Sequence, residues 1–581
     1  MPADHPATRL IARVPDWAIL LVFCLVFSLQ VISSILQKSA TFDEPVNLAS
    51  GYVALRFGDH RIMPQNLPLV KLLAALPLLL ADVRMPAPPH PWTDASRYAF
   101  AHSFLYEVND ADRLLLLGRL ALLPLALLLG GLVFRWTRQL FGRPAAAAAL
   151  GLYCFEPSIL AHAGLVTTDL AVTCLMFGTV YGLYRVAQDG IALRRLLLPG
   201  LALGLALLTK FTLLPFLFIL LLLALAASLA RQPLALRLPG LPPGQVEGRG
   251  RKLAALLLVL LGWGMVAYGV IWALYGLSYE ATVTPGFFYP ASWSEILPRR
   301  PALRTALLWM RETRLLPEEY LYGLSYLVAK SGKFVTFLMG EVRFGSWWYF
   351  FLVTFLIKTP AAFLLLIAVG LGVQGRRWRE DPLCAAFLLL PVLVYFTLIS
   401  VSGWNIGHRH LLPIYPFLCV LVGGLVPWAQ QSARGGRWVQ TALAAWYLAA
   451  ALWIAPHYLA YFNELVGGPT QGYKYLVDSN LDWGQDLKGL KRYMDAHGID
   501  RVWLSYFGSA SPDYYGIRYN YLPSYHIFKP SPDRLPTSFV AISATNLQGL
   551  YLLGNPDAFK AFREREPIAK VGYSLFIYRL D

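Results

Sequence analysis

Apolar runs dominate the pattern of the chain, and their lengths set the architecture. A bilayer span takes about 20 apolar residues at helical rise. Runs of roughly that kind fall near 17–37, 114–134, 144–163, 168–186, 196–209, 211–230, 253–276, 349–373, 382–401, 411–429 and 438–456. They predict a polytopic α-helical membrane protein with about 11 transmembrane helices. The run at 196–209 is short and parts from the next at Lys210, so the pair reads as a broken or tilted hairpin. The pattern changes in two long intervals, 38–113 and 277–348. Helical periodicity at Pro301–Glu312 and Glu318–Ser331 predicts amphipathic helices lying along the membrane surface. Trp347 and Trp348 are expected in the aromatic belt where the next span enters. Beyond Pro456 the sequence is mixed and polar, with strand-like runs at Val502–Tyr506, Phe539–Ser543 and Ser574–Tyr578. A helical pattern at Asp486–His497 opens with a carboxylate suited to an N-terminal cap. The expected division is a membrane domain over 1–456 and a small α/β domain over 457–581.

Charge fixes the expected orientation. Only 14% of the 581 residues are charged, and the mean hydropathy is +0.50, where a soluble domain would carry about a quarter charged residues. The net charge of +16 would suggest nucleic acid in a soluble protein. Here the basic residues gather in short loops: Arg135, Arg138 and Arg143; Arg194 and Arg195; Arg231 to Lys252; Arg376, Arg377 and Arg379; Arg434 and Arg437. That is the pattern of cytoplasmic anchoring, and it sets nucleic acid aside. With a cytoplasmic N-terminus and eleven spans, every cluster falls on the cytoplasmic side, and the two long loops and the C-terminal domain fall outside it. Arg9 and Arg13 precede a run too long for a signal-peptide core, so Trp17–Gln37 is expected to be a retained first helix. The five cysteines lie in or at the start of apolar runs and read as small hydrophobes.

The candidate chemistry collects on the outer side. It comprises Asp43 and Glu44 in Thr41-Phe42-Asp43-Glu44-Pro45, Lys71 after Pro64-Gln65-Asn66-Leu67-Pro68, Arg119, Glu156, His162, Asp169, Lys210, Lys358, and the run His408-Arg409-His410. A transporter would spread its charges along a path through the bilayer. A one-sided mix of carboxylates and cations suits group transfer from a lipid phosphate: a carboxylate takes the acceptor's proton or holds a divalent cation, and the cations meet the phosphate as its charge grows. Asp43, Asp169 and Glu156 are the candidate metal ligands. Each residue also has a plain structural reading. Asp43, Glu44 and Asp169 could cap helices, the lysines could extend to the surface, and the histidines could anchor loops. A lipid or sugar-lipid transporter or flippase is the alternative function.

Taken together, the Asp43-Glu44 pair, the Pro68-Leu69-Val70-Lys71 segment, the Ala161-His162 and Thr167-Thr168-Asp169 element and Gly407-His408-Arg409-His410-Leu411-Leu412-Pro413 resemble the glycosyltransferases of family 39. This is the polyprenyl-phosphate-sugar-dependent group of C-type fold, which includes protein O-mannosyltransferases and the lipid A aminoarabinose transferase. The resemblance implies inverting transfer of a hexose or pentose from a polyprenyl phosphate to a hydroxyl of protein, lipid or glycan, at the periplasmic face of a bacterial inner membrane. It implies that Asp43 is the base or acceptor-orienting carboxylate, Glu44 its partner and Asp169 the second acid. Lys71, Arg119, Lys358 and Arg409 are implied to meet the donor phosphate, with His162, His408 and His410 lining the site. The chain has Asn66-Leu67-Pro68-Leu69 where the family commonly has His-Pro-Pro-Leu, so no histidine role carries over there.

Overall fold

A computed structural model describes residues 14–88, 93–240, 242–330, 334–431, 434–525, 535–552 and 554–580. Among them six helical segments are long and apolar enough to cross a bilayer: Asp16–Leu36, Ala111–Phe141, Asp169–Asp189, Arg249–Leu274, Pro382–Val401 and His408–Gln431. The chain is a multi-pass membrane protein. Two bent pairs bring the number to eight if each is one span, against the eleven expected. Arg143–Cys154 and Pro157–Ala163 meet at 64°, and Phe350–Lys358 and Ala361–Gly375 at 108°. Both breaks stand before a proline, Pro157 and Pro360, where the helix loses a donor and the preceding residue is pushed out of the α region. The runs at 196–209 and 211–230 fold as the shorter helices Leu193–Leu207 and Phe216–Ser228, parted at Lys210.

The spans divide their faces between core and lipid. Leu21, Val22, Leu25 and Leu29 of the first helix lie exposed, while its opposite face carries Phe27, stacked on Tyr153 at 5.6 Å. The Tyr153 hydroxyl donates to Ala126 O at 2.7 Å, as a buried phenol must. Trp136, fully buried, packs on Phe177, Tyr181, Tyr184 and Phe417.

The long loops fold as expected into helices: Glu44–Phe57, Pro68–Ala75 and Asp94–His102 in the first, Pro301–Glu312 and Glu318–Lys330 in the second. The second also holds an unanticipated hairpin, Val335–Leu338 against Glu341–Phe344. Trp348 is 73% exposed, as a belt residue would be, whereas Trp347 is buried beneath the Arg343 guanidinium.

The C-terminal region is a five-stranded sheet. Its strands are β1 (Arg501–Ser505), β2 (Arg518–Tyr521), β3 (Phe539–Ser543), β4 (Ala569–Val571) and β5 (Leu575–Arg579), in the order β2-β1-β3-β5-β4. Strand β1 runs parallel to β2 and β3, and β5 antiparallel to β3 and β4. The helix Leu487–Ala496 buries Leu487, Leu490 and Met494. Asp486, expected as that helix's cap, makes no capping bond. Its carboxylate is instead buried and accepts from Lys38 Nζ at 2.5 Å, from Ser574 Oγ at 2.6 Å and from Gln485 Nε2 at 3.0 Å. A buried lysine recruits a carboxylate more strongly than a helix end does.

That ion pair belongs to a seam. Ser39 N donates to Gln485 O and Phe42 N to Trp483 O, both at 2.9 Å, so the strand leaving the first span runs beside residues 483–485. Gly484 sits there at φ +88°, and a Cβ would lie 2.7 Å from Gly508 Cα. The seam seats the C-terminal region on one end of the helical part.

Candidate active site

A cavity of about 1150 Å³ opens at that mouth. Asp43, Asp169, Lys210, Arg409 and His410 line it, so the structure brings together two of the four candidate acids with two candidate cations and one candidate histidine. Arg409 Nη1 lies 3.3 Å from Asp43 Oδ2 and 3.8 Å from Asp169 Oδ2, with its guanidinium 4.1 Å from the centre of the Trp483 ring. Lys210 Nζ donates to Asp169 Oδ1 at 2.8 Å and to His410 Nδ1 at 2.9 Å. An ammonium only donates, so His410 carries its proton on Nε2.

The capping readings of the acids find no bond. Asp43 stands at the N-cap of Glu44–Phe57 and Thr168 at that of Asp169–Asp189, yet neither side chain caps its helix. Asp169 is 2% exposed at the positive end of its helix, where a carboxylate is favoured. The Asp43 side chain is 27% exposed and reaches the cavity.

Glu44 holds the two acids in place rather than facing the cavity. It is fully buried. One oxygen accepts from Arg119 Nε at 2.8 Å and Val166 N at 3.0 Å; the other accepts from Arg119 Nη2 at 2.6 Å, Thr41 N at 2.8 Å and Thr41 Oγ1 at 3.0 Å. Asn47 Nδ2 donates to Val166 O at 2.9 Å. Both peptide groups of Val166 are therefore pinned to the helix that starts beside Asp43, which fixes Asp169, three residues on, relative to Asp43. Burial would raise the Glu44 carboxyl, but the charge and hydrogen bonds of Arg119 outweigh it and hold it below the usual range.

Several expected residues lie outside the cavity lining, each for a visible reason. Arg119, expected on the donor phosphate, spends its five N–H donors on Glu44 and the carbonyls of Ile35, Lys38 and Ser39. Lys71 is buried and donates to Met63 O at 3.0 Å; burial lowers its ammonium to about 7 despite Glu319 nearby. Lys358 donates to Leu459 O at 2.8 Å and Asn480 O at 2.6 Å. His408 Nε2 shares a 2.7 Å hydrogen bond with the Tyr415 hydroxyl, and His162 packs edge-on to Trp483. Glu156 caps its helix through Ser158 N and accepts from the Tyr447 hydroxyl at 3.1 Å. Among the described residues no three His, Cys, Asp or Glu side chains stand together as ion ligands. Asp43 and Asp169 face Arg409 and Lys210 instead, so the side chains do not fit a divalent metal.

Lys358 ties the end of a broken span to the segment that follows the last helix, through Leu459 and Asn480. Lys358→Met leaves two buried carbonyls without their donor and is expected to destabilise the protein by about 1–3 kcal/mol. Thermal unfolding in detergent would read it, with polyprenyl-phosphate affinity unchanged. Lost affinity at parental stability would instead restore Lys358 to the phosphate.

The sequence reading missed the residues that the C-terminal region sends into the cavity: Asp478, Trp483, Phe507, Tyr525 and Tyr551. The run Asp478-Ser479-Asn480-Leu481-Asp482, with polar residues in an order fitting neither helix nor strand, was the available signal.

Residues 114–242 match the family described as dolichyl-phosphate-mannose-protein mannosyltransferase. The matched segment contains Arg119, Glu156, His162, Asp169 and Lys210. No curated protein matches the chain in sequence. Among solved structures, ArnT from Cupriavidus metallidurans bound to undecaprenyl phosphate is similar at 11% identity, covering 97% of this chain and 98% of that one, with a TM-score of 0.42. The Archaeoglobus fulgidus oligosaccharyltransferase in its apo form is similar at 14% identity over 76% of this chain and 54% of its own length, with a TM-score of 0.43.

Proposed function

We propose that the chain is a membrane glycosyltransferase of C-type architecture that moves one sugar, with inversion, from a polyprenyl phosphate to a hydroxyl acceptor at the periplasmic face of a bacterial inner membrane. The observation that carries this reading is the meeting of Asp43 and Asp169 around Arg409 in one cavity at the end of the spans. The family match over 114–242 supports it.

Asp43 is the base. As the acceptor oxygen bonds to the anomeric carbon, its proton passes to the Asp43 carboxylate, and the bond from that carbon to the phosphate oxygen breaks. The lipid phosphate leaves with the electron pair, and Arg409 and Lys210 meet its growing charge. Asp169 orients both cations through its two oxygens. In this account Lys210 and Arg409 take the phosphate role that the sequence assigned to Lys71, Arg119, Lys358 and Arg409.

Purified protein in liposomes, given a panel of polyprenyl-phosphate sugars, tests the reading. The expected result is release of free polyprenyl phosphate from one donor and a product of inverted anomeric configuration. Tight binding of donors with no release from any would favour the transporter. A retained configuration would replace Asp43 as base by Asp43 as nucleophile.

A further inference from the structure

Four aromatic rings stand in one nearly parallel set on the outer side of the cavity. Phe42 stacks on Phe507 at 5.5 Å and 14° and on Tyr525 at 5.7 Å and 18°. Tyr551 stacks on Phe507 at 5.4 Å and 18° and on Tyr525 at 4.9 Å and 28°. All four line the cavity, and Tyr525 is 45% exposed. Offset stacking is one of the two arrangements aromatic pairs favour; what sets these rings apart is that all four also line the cavity, where they offer it an apolar aromatic wall.

A carboxylate borders this surface. Asp478 accepts from the Tyr551 hydroxyl with one oxygen and from Ser479 N with the other. It is 6% exposed yet lines the cavity. Its backbone sits at φ +57°, a conformation an L-residue holds only when the surroundings force it, and one that collects at functional sites. Asp478 N donates to Thr545 Oγ1, while its carbonyl accepts from Leu481 N and Asp482 N. Those bonds fix the conformation. Burial pushes its carboxyl up to about 6, with Arg409 and Tyr551 opposing.

A flat ring stack bordered by a carboxylate matches the chemistry of a pyranose, which has one face of C–H groups and a rim of hydroxyls. Lys210, held on Asp169 and His410, marks the phosphate end of the cavity, and Arg409 stands between Asp169 and Asp43. Phe42 adjoins Asp43 in the chain, so the rings lie on the base's side. In an in-line displacement the attacking hydroxyl enters on the side away from the phosphate.

We propose that the rings of Phe42, Phe507, Tyr525 and Tyr551, with Asp478 at their border, form the acceptor subsite, and that the acceptor is a sugar ring of a glycan or glycolipid. This rests on the transferase reading for the word acceptor, and not for the binding of a sugar. The C-terminal sheet then serves to present three of the four rings and the carboxylate.

The test is binding to the full chain in lipid nanodiscs, with methyl hexopyranosides, a glycolipid placed in the same bilayer, a Ser/Thr-rich peptide and undecaprenyl phosphate as probes. The parent is expected to bind a pyranoside or the glycolipid and not the peptide; binding of the glycolipid alone would name a membrane-borne sugar as the source. Tyr525→Ala is expected to weaken sugar binding about tenfold, the scale of one lost ring contact. Tyr525→Phe is expected to restore it, and Asp478→Asn to change which pyranoside binds best. Undecaprenyl phosphate should bind alike throughout, which certifies the fold. Sugar affinity unchanged in Tyr525→Ala, or binding of the peptide and no sugar, overturns the proposal. Donor release, measured separately with water as acceptor, reports on the transferase reading alone.

Discussion

Asp43→Ala is expected to stop sugar transfer while the protein still inserts and still binds polyprenyl phosphate. A positioned base contributes about 10²–10⁴ in rate, so the turnover rate should fall by at least two orders of magnitude. Binding of the lipid phosphate should survive, because Lys210 and Arg409 keep Asp169 as their partner. Stability should barely move: the Asp43 side chain is part-exposed, meets Arg409 at 3.3 Å and makes no capping bond. A mere cap would behave in the opposite way, losing about 0.5–2 kcal/mol of stability and keeping its rate. Release of polyprenyl phosphate by purified parent and variant decides between them, and equal turnover ends the base assignment.

Glu44→Ala should be the most disruptive single change to the fold near the site. It leaves the Arg119 guanidinium buried without its counter-charge, a loss of about 3–5 kcal/mol for a buried pair deprived of one partner. Val166 N and Thr41 N lose their acceptor as well. Arg119→Met should cost a similar amount, since three carbonyls as well as the carboxylate lose donors. The double variant Glu44→Ala with Arg119→Met should cost less than the two single losses added together, because it removes both charges. Chemical unfolding in detergent would measure all three. Parental stability in Glu44→Ala would show that the pair contributes little.

The two expectations separate residues that stand side by side in the chain, and that is where sequence reasoning met its limit. Hydrophobic run lengths sufficed for the six long apolar helices, because the bilayer imposes a length, though not for all eleven runs, and for Pro301–Glu312, whose periodicity has a single apolar face. They could not foresee the bends at Pro157 and Pro360, where a proline decides between one span and two pieces. Asp43, Asp169 and Arg409 were legible because carboxylates and an arginine beside apolar runs need a reason to be there. Arg119 looked equally suitable by type and place. Only coordinates reveal that five acceptors already use its donors. Asp478 was hidden for another reason: its partners are distant in sequence and it lies in neither a helix nor a strand, so no period points to it. Asp486 misled by local pattern, since a carboxylate before a helix reads as a cap whatever lysine waits 448 residues away.

The seam between residues 39–42 and 483–485 bears on biosynthesis. A ribosome delivers the first span and Asp43 early, and Asp169, Lys210 and Arg409 after them. Asp478, Trp483, Phe507 and Tyr551 emerge only with the last part of the chain. Until that part has been made and has docked, Ser39 and Phe42 lack their backbone partners, Lys38 lacks its carboxylate, and the cavity lacks a wall. If the chain is the transferase proposed above, a half-made copy is thus unarmed: it can sit in the bilayer among lipid-linked sugars without squandering them on water.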